Sequence, residues 1–267
     1  MLELRSLNKT FFWGTADSVR ALKDLSLSVQ PMDFVTIVGS NGAGKSTLLN
    51  AIAGVFPCDS GQVVLAGVDV TREPEYRRAR LISRVVQDPK LGTAPTMSLE
   101  ENLAMALLRG RSRGLASGVT AGMRDLFRDE LGHLGIGLEH RLRSSVGTLS
   151  GGQRQAVALI MAVLQKPALL MLDEHTASLD PKTGARILEI TDRVVREHQL
   201  TALMVTHNME HALRYGNRLV MMHYGEIVLD IAEDEKKRFG VADLIARFEA
   251  QAHERFMDDR VLLAGGG

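Results

Sequence analysis

The sequence predicts an α/β protein with a mostly parallel sheet, on three observations. Apolar runs of strand length at residues 34–38, 168–172 and 200–205 alternate with helix-compatible stretches, the order of strand–helix units. The runs are continuous rather than alternating, as suits strands buried on both faces. Each also delivers polar residues at its C-terminal end: a glycine-rich loop, a pair of carboxylates and a histidine. Open α/β sheets place their ligand groups at that edge.

The first run leads into Gly39-Ser40-Asn41-Gly42-Ala43-Gly44-Lys45-Ser46-Thr47, and a helix-like stretch at 48–53 leads out. That strand–loop–helix context makes a G-x-x-x-x-G-K-[ST] match a phosphate loop. Its glycines let successive backbone N–H groups face one anionic centre without Cβ clashes. The helix beginning there points unpaired N–H groups and a positive dipole end at the phosphates. Lys45 is then expected to reach the β- and γ-phosphates, and the Ser46 hydroxyl to sit on Mg²⁺. The bland alternative is an ordinary glycine-rich βα turn, which requires neither the correct flanks nor the Lys-Ser ending.

Upstream, residues 2–7 and 25–29 alternate apolar and polar side chains like half-buried strands. Between them Thr10-Phe11-Phe12-Trp13-Gly14 sets three aromatics side by side in a chain that is only 4% aromatic. They read either as a hydrophobic hairpin plug or as a face on which an adenine ring stacks. Downstream, Gly54 and Pro57 close the helix after the phosphate loop, 63–65 reads as a short strand, and 81–86 as another. The latter places Gln87 at a strand's C-terminal edge.

From 91 to 147 strand-like runs give way to helical patterns, which we read as a helical insertion into the α/β core. Ser98-Leu99-Glu100-Glu101 is a capping box opening a helix through Leu108. Residues 109–118 form a basic, glycine-containing connection, and helical periodicity resumes over 119–134. Leu149-Ser150-Gly151-Gly152-Gln153 precedes a helix-compatible run, so Ser150 and the paired glycines can present N–H groups at a helix start, a second anion-binding centre. At the end of the 168–172 run, Asp173 is placed to hold Mg²⁺ through water, and Glu174 to orient and deprotonate an attacking water. Asp180 reads as the N-cap of the next helix with Pro181 at its first position. His207, after the 200–205 run, can contact a γ-phosphate. Residues 218–223 and 226–231 read as a hairpin turning at Tyr224-Gly225. The tail is charged over 233–238, amphipathic over 241–256 and ends in glycines.

Composition narrows the setting. The 267 residues allow one large domain or a core with an inserted subdomain. Thirty-two basic residues balance 32 acidic ones, so no bulk field favours nucleic acid or anionic lipid. Cys58 is the single cysteine, which excludes an internal disulfide and fits a reducing compartment. The start of the chain lacks signal-peptide character, and no apolar stretch approaches the ~18 residues of a spanning helix. The expectation is a soluble cytoplasmic protein that meets a membrane only through a partner.

The ordered set of residues 39–47, Gln87, 149–153, 169–174, 178–180 and His207 resembles the nucleotide-binding domain of an ABC ATPase, with Walker A, Q-loop, LSGGQ signature, Walker B, D-loop and H-loop in family order. The resemblance implies a P-loop NTPase core with a mostly parallel sheet, an N-terminal antiparallel β-subdomain and an inserted helical subdomain at about 91–164. On this scheme residues 1–232 are the ATPase domain and 233–267 a C-terminal helical tail. It implies ATP and Mg²⁺ as ligands, with Ser46, Gln87 and Asp173 at the metal and Glu174, His207, Gln87 and Lys45 in hydrolysis. Phe11, in Asn8-Lys9-Thr10-Phe11, holds the adenine-stacking place, with Phe12 or Trp13 as alternatives. Residues 39–47, Ser150, Gly151, Gly152, Gln153 and Asp180 contact nucleotide in the family, the signature from a second copy paired head to tail.

The resemblance further implies a motor subunit seated on a membrane permease at the cytoplasmic face of the inner membrane, served indirectly by a secreted substrate-binding protein, with no nucleic-acid partner. Motifs such as Gln87-Asp88-Pro89 and Asp173-Glu174-His175-Thr176 resemble importers of the tryptophan/tyrosine transport type, whose permeases resemble those for branched-chain amino acids. The competing reading, a soluble ABC ATPase acting on ribosomes or DNA, calls for two such domains or a long coiled-coil insertion, and a basic surface. Two departures stand out: His175 replaces the usual proline after Glu174, and Pro31-Met32-Asp33 replaces a glycine-acidic turn.

Overall fold

A computed structural model describes residues 1–111 and 117–250. Parts of the basic connection and of the amphipathic tail, with the terminal glycines, lie outside the described residues. In chain order the elements are β1 (Leu2–Phe11), β2 (Val19–Val29), β3 (Phe34–Gly39), α1 (Lys45–Ala53), β4 (Ser60–Leu65), β5 (Val68–Asp69), α2 (Glu75–Arg78), β6 (Ile82–Val85), α3 (Leu99–Leu107), α4 (Ala121–Gly132), α5 (Gly151–Val163), β7 (Leu169–Asp173), α6 (Pro181–Glu197), β8 (Ala202–Val205), α7 (Met209–Arg214), β9 (Arg218–His223), β10 (Glu226–Ala232) and α8 (Glu233–Lys236). They form two compact units. Among the described residues, a terminal unit holds 2–29, 33–72 and 204–250, and a middle unit holds 30–32, 73–111 and 117–203.

In the terminal unit, β1 pairs antiparallel with β2 on one side and β4 on the other, with β5 beyond β4. The alternation read over residues 2–7 holds at Leu2 and Leu4 and then slips by one, the register shifting where Ser6 takes φ +49°, so that Leu7 is the next buried side chain. The continuous run in β3 is buried from Phe34 to Val38 and pairs in parallel with β9, Val35 opposite Arg218 and Gly39 opposite Met222. β9 and β10 form the expected hairpin, and Tyr224 and Gly225 both take positive φ, as a tight primed turn requires. Val38, Leu219, Met221, Leu229, Ile231 and Leu244 share one core, which fastens helical residues 241–250 to this sheet.

In the middle unit, β6 and β7 are parallel, Ile82 opposite Leu169 and Val85 opposite Leu172. Leu169 to Leu172 are fully buried, as a central strand demands. The capping box at Ser98 forms, the Ser98 hydroxyl accepting from Glu101 N–H while the Glu101 carboxylate accepts from Ser98 N–H. α6 starts as read, with Asp180 accepting from Thr183 N–H and Pro181 at the first position. Its Ile187, Ile190, Thr191 and Val194 repeat at helical spacing on the buried side. Two expectations need correction. Phe12 and Trp13 plug nothing, since they are 69% and 83% exposed. The second concerns Leu91, Met97 and Leu99, which the sequence offers as the apolar lining of a groove for a partner helix: Leu99 is fully buried and lines none.

Candidate functional site

The phosphate loop is shaped by backbone crowding in the terminal unit. Gly39 at φ +155° lies so close to Met222 that a Cβ would stand 2.2 Å from its carbonyl oxygen; Gly44 at φ +98° would place one 2.6 Å from Ala21 O. Ala43 O accepts from Gly225 N–H at 3.0 Å, so the β9–β10 turn braces the loop. Lys45 is almost fully buried and folds its ammonium back over the loop, donating to Gly39 O at 2.7 Å and Ser40 O at 3.0 Å.

Helices α3, α4, α5, α6 and α7 are each capped by a side chain, from Ser98, Thr120, Ser150, Asp180 and Asn208. α1 begins at left-handed Gly44 with no side-chain cap, a lack it shares with the four-residue α2 and α8; of these three, α1 is the one that follows a glycine-rich loop. Its positive dipole end faces that loop, beside a lysine and the Ser46 hydroxyl, an arrangement that suits an anion. In the same unit Thr206 N–H donates to Ile37 O, which brings His207 to the end of the strand that feeds the loop. Asn208 caps α7, and His207 is exposed. Burial pushes the His211 imidazole below its ordinary pKa.

Of the three aromatics, Phe11 ends β1 edge-on to Phe56, ring centres 5.3 Å apart, with the Lys9 ammonium over both rings. Phe12 takes a positive φ, which turns it and Trp13 outward.

In the middle unit, Asp173 closes β7 and Glu174 follows in left-handed conformation at φ +45°. A non-glycine residue there is strained, and such strain gathers at functional positions. Two neighbours hold this corner, Arg84, which the sequence reading missed, and His175, which it noted only as a departure. Arg84 on β6 donates from Nη2 to Asp173 Oδ2 at 2.5 Å. His175, only 2% exposed, meets Thr191 on α6, its Nε2 3.1 Å from the Thr191 hydroxyl. The threonine proton goes to Ile187 O at 2.8 Å, so Nε2–H of the histidine is the donor. The residue that replaces proline thus anchors the corner after Glu174 to α6. Gln87 is exposed just past β6; its carbonyl accepts from the Ser178 hydroxyl at 3.0 Å, joining Q-loop to D-loop. Val86 O accepts from Gln155 on α5.

The signature opens α5 with a closed capping box: Ser150 Oγ accepts from Gln153 N–H, and Gln153 Oε1 from Ser150 N–H. Gly152 is buried against α6, where a Cβ would come 2.3 Å from Thr183 Cγ2. Thr183's hydroxyl and N–H hold the Asp180 carboxyl below the usual carboxylate range. Ser46, and separately Gln87 and Asp173, each carry an oxygen donor of the kind a hard cation such as Mg²⁺ takes. Among the described residues no group of three or more acidic, histidine or cysteine residues that could hold a metal ion occurs.

A crowded glycine loop over an open helix start, with carboxylates closing a buried strand, defines a P-loop nucleoside triphosphatase. The ABC transporter family model matches residues 22–177. A tyrosine transport ATP-binding protein of Clostridioides difficile (strain R20291) is 44% identical over 249 residues, 93% of this chain and 99% of that protein. A phosphonates import ATP-binding protein, PhnC, of Frankia casuarinae is 37% identical over 218 residues, 79% of this chain and 84% of the other. The dimeric post-hydrolysis state of the ATP-binding cassette MJ0796, bound to ADP and Pi, is 28% identical with TM-score 0.73, covering 87% of this chain and 99% of that one. The ADP conformation of the cassette MJ1267 gives 26% and 0.74, covering 89% and 93%. The chain belongs to the ABC transporter family: it is an ATP-binding motor subunit and an ATPase. Among the described residues no helix is long and apolar enough to cross a membrane.

Proposed function

We propose that this subunit drives a bacterial importer of an amino acid or another small solute, docked on a membrane permease at the cytoplasmic face of the inner membrane. A secreted binding protein delivers the solute to the permease. The similarity to a tyrosine transport ATP-binding protein along nearly the whole chain supports that cargo class. Residues 1–232 serve as the ATPase domain, with the helical insertion at about 91–164, and 233–267 as a C-terminal tail.

In this reading the open start of α1 carries the triphosphate, and that single observation carries the assignment. Residues 39–47 wrap the phosphates, Lys45 and Ser46 meeting the β/γ end and the metal. Phe11 stacks on adenine. Asp173 and Gln87 attend Mg²⁺, which when bound neutralises charge developing on the phosphate oxygens. Glu174 takes the proton of the attacking water and His207 steadies the γ-phosphate. Ser150, Gly151, Gly152, Gln153 and Asp180 complete the nucleotide site of a second copy.

The test is Glu174→Gln, which keeps shape and removes the base. Steady hydrolysis should fall by ~10²–10⁴ while ATP is retained. Light scattering should then find this variant dimeric with ATP and monomeric with ADP. Near-normal turnover would remove Glu174 from the role of base, and equal mass in both nucleotides would argue against the ATP-closed dimer.

A further inference from the structure

The Arg84–Asp173 contact is not part of the motif series, and its chemistry bears on the metal. Arg84 sits on β6 opposite Met171, two residues before the end of the neighbouring strand, so the guanidinium has only to lean along the strand to reach the carboxylate. The arginine side chain is 25% exposed and the aspartate 17%. A carboxylate this far out of water needs a counter-charge, and the guanidinium supplies one. The carboxylate has lone pairs for more than one partner, so a guanidinium on Oδ2 does not bar a cation or its water from the group. It does subtract from the field that such a cation meets.

We propose that Arg84 is a positioning residue for Asp173: it holds the carboxylate's orientation and counters its charge without metal, and thereby sets the Mg²⁺ concentration at which metal-dependent nucleotide binding occurs. The inference rests on the reading of Asp173 as a metal-side carboxylate. Removing the guanidinium leaves the full carboxylate charge for the metal, so Mg²⁺ is taken up at lower concentration, while the metal-free protein loses an ion pair.

Binding of a fluorescent ADP analogue is measured in EDTA and across a Mg²⁺ titration, on the wild type and on Arg84→Met, Arg84→Lys and Asp173→Asn, with thermal midpoints in EDTA. Arg84→Met should lower the half-effective Mg²⁺ concentration by roughly three- to tenfold, the effect of one nearby charge in a partly screened site. It should also lower the metal-free midpoint. Arg84→Lys keeps the charge and should titrate like wild type. If Arg84→Met does not fold, Arg84→Gln, which keeps an amide donor without the charge, takes its place. A half-effective concentration that is unmoved or raised in the uncharged variant overturns the proposal and leaves Arg84 a structural strut. Asp173→Asn separates the two levels. If Asn abolishes the Mg²⁺ response while Arg84→Met leaves it unmoved, only the Arg84 inference fails; if Asn leaves the response intact, the metal-side reading of Asp173 fails with it.

Discussion

Gly152 in the signature and Thr183 on α6 are packed so that a single added methyl group would overlap the threonine Cγ2 at 2.3 Å. Threonine is β-branched and stiff at χ1, so it cannot swing aside cheaply. This glycine therefore has a packing duty besides any contact with nucleotide. Gly152→Ala should destabilise the protein by about 1–3 kcal/mol through overpacking. Thr183→Ser in the same chain removes the offending methyl and should restore most of the loss. Chemical denaturation of both variants decides it, and a double variant no better than the single one would place the strain elsewhere.

Met32 stands at φ +66° in the exposed turn after Pro31, a backbone conformation that favours glycine. A side chain in left-handed conformation costs about 1–2 kcal/mol, part of which glycine returns as unfolded-state entropy. Met32→Gly should stabilise by about 0.5–1 kcal/mol. Its N–H bond to the Thr201 hydroxyl survives the change. An unchanged or lower thermal midpoint would contradict this account.

His211 resists protonation in the fold because burial disfavours its charge. In the unfolded chain it titrates near its ordinary value of about 6.5. As pH drops through that value the unfolded state binds the proton first, so stability falls, and the fall ends below the depressed folded value. His211→Gln should flatten the stability profile between about pH 7 and 5. Thermal midpoints of both proteins across that range provide the comparison; parallel curves would exonerate His211.

Leu91 is 80% exposed just past the Q-loop, where a partner can reach it. Leu91→Glu should leave ATP binding by the isolated subunit intact and weaken the stimulation of hydrolysis by the permease. Intact stimulation would move the docking surface away from this residue.

The sequence made the phosphate loop, the buried strands and two of the caps legible because each depends on neighbours in the chain, as Asp180 does with Thr183 and Ser98 with Glu101. The closing of Ser150 on Gln153 was not read, since the motif there reads as N–H groups presented to an anion. Arg84 gave no signal, since its partner is 89 residues away and a charged residue within a strand reads as a solvated position. His175 was visible as a departure, but its anchoring to Thr191 depends on how α6 returns past the corner. α7 escaped notice because six residues give no periodicity to read. Leu99 looked available beside Leu91 because apolar residues at a helix start do not declare which face is covered.

The brace of the phosphate loop by the Tyr224-Gly225 turn has a consequence for nucleotide capture. The hydrogen bond from Gly225 N–H ties the Ala43 peptide down in the folded chain, so that part of the loop need not be ordered afresh when a nucleotide arrives. What a nucleotide still has to draw out is the Lys45 ammonium, which lies on Gly39 O and Ser40 O.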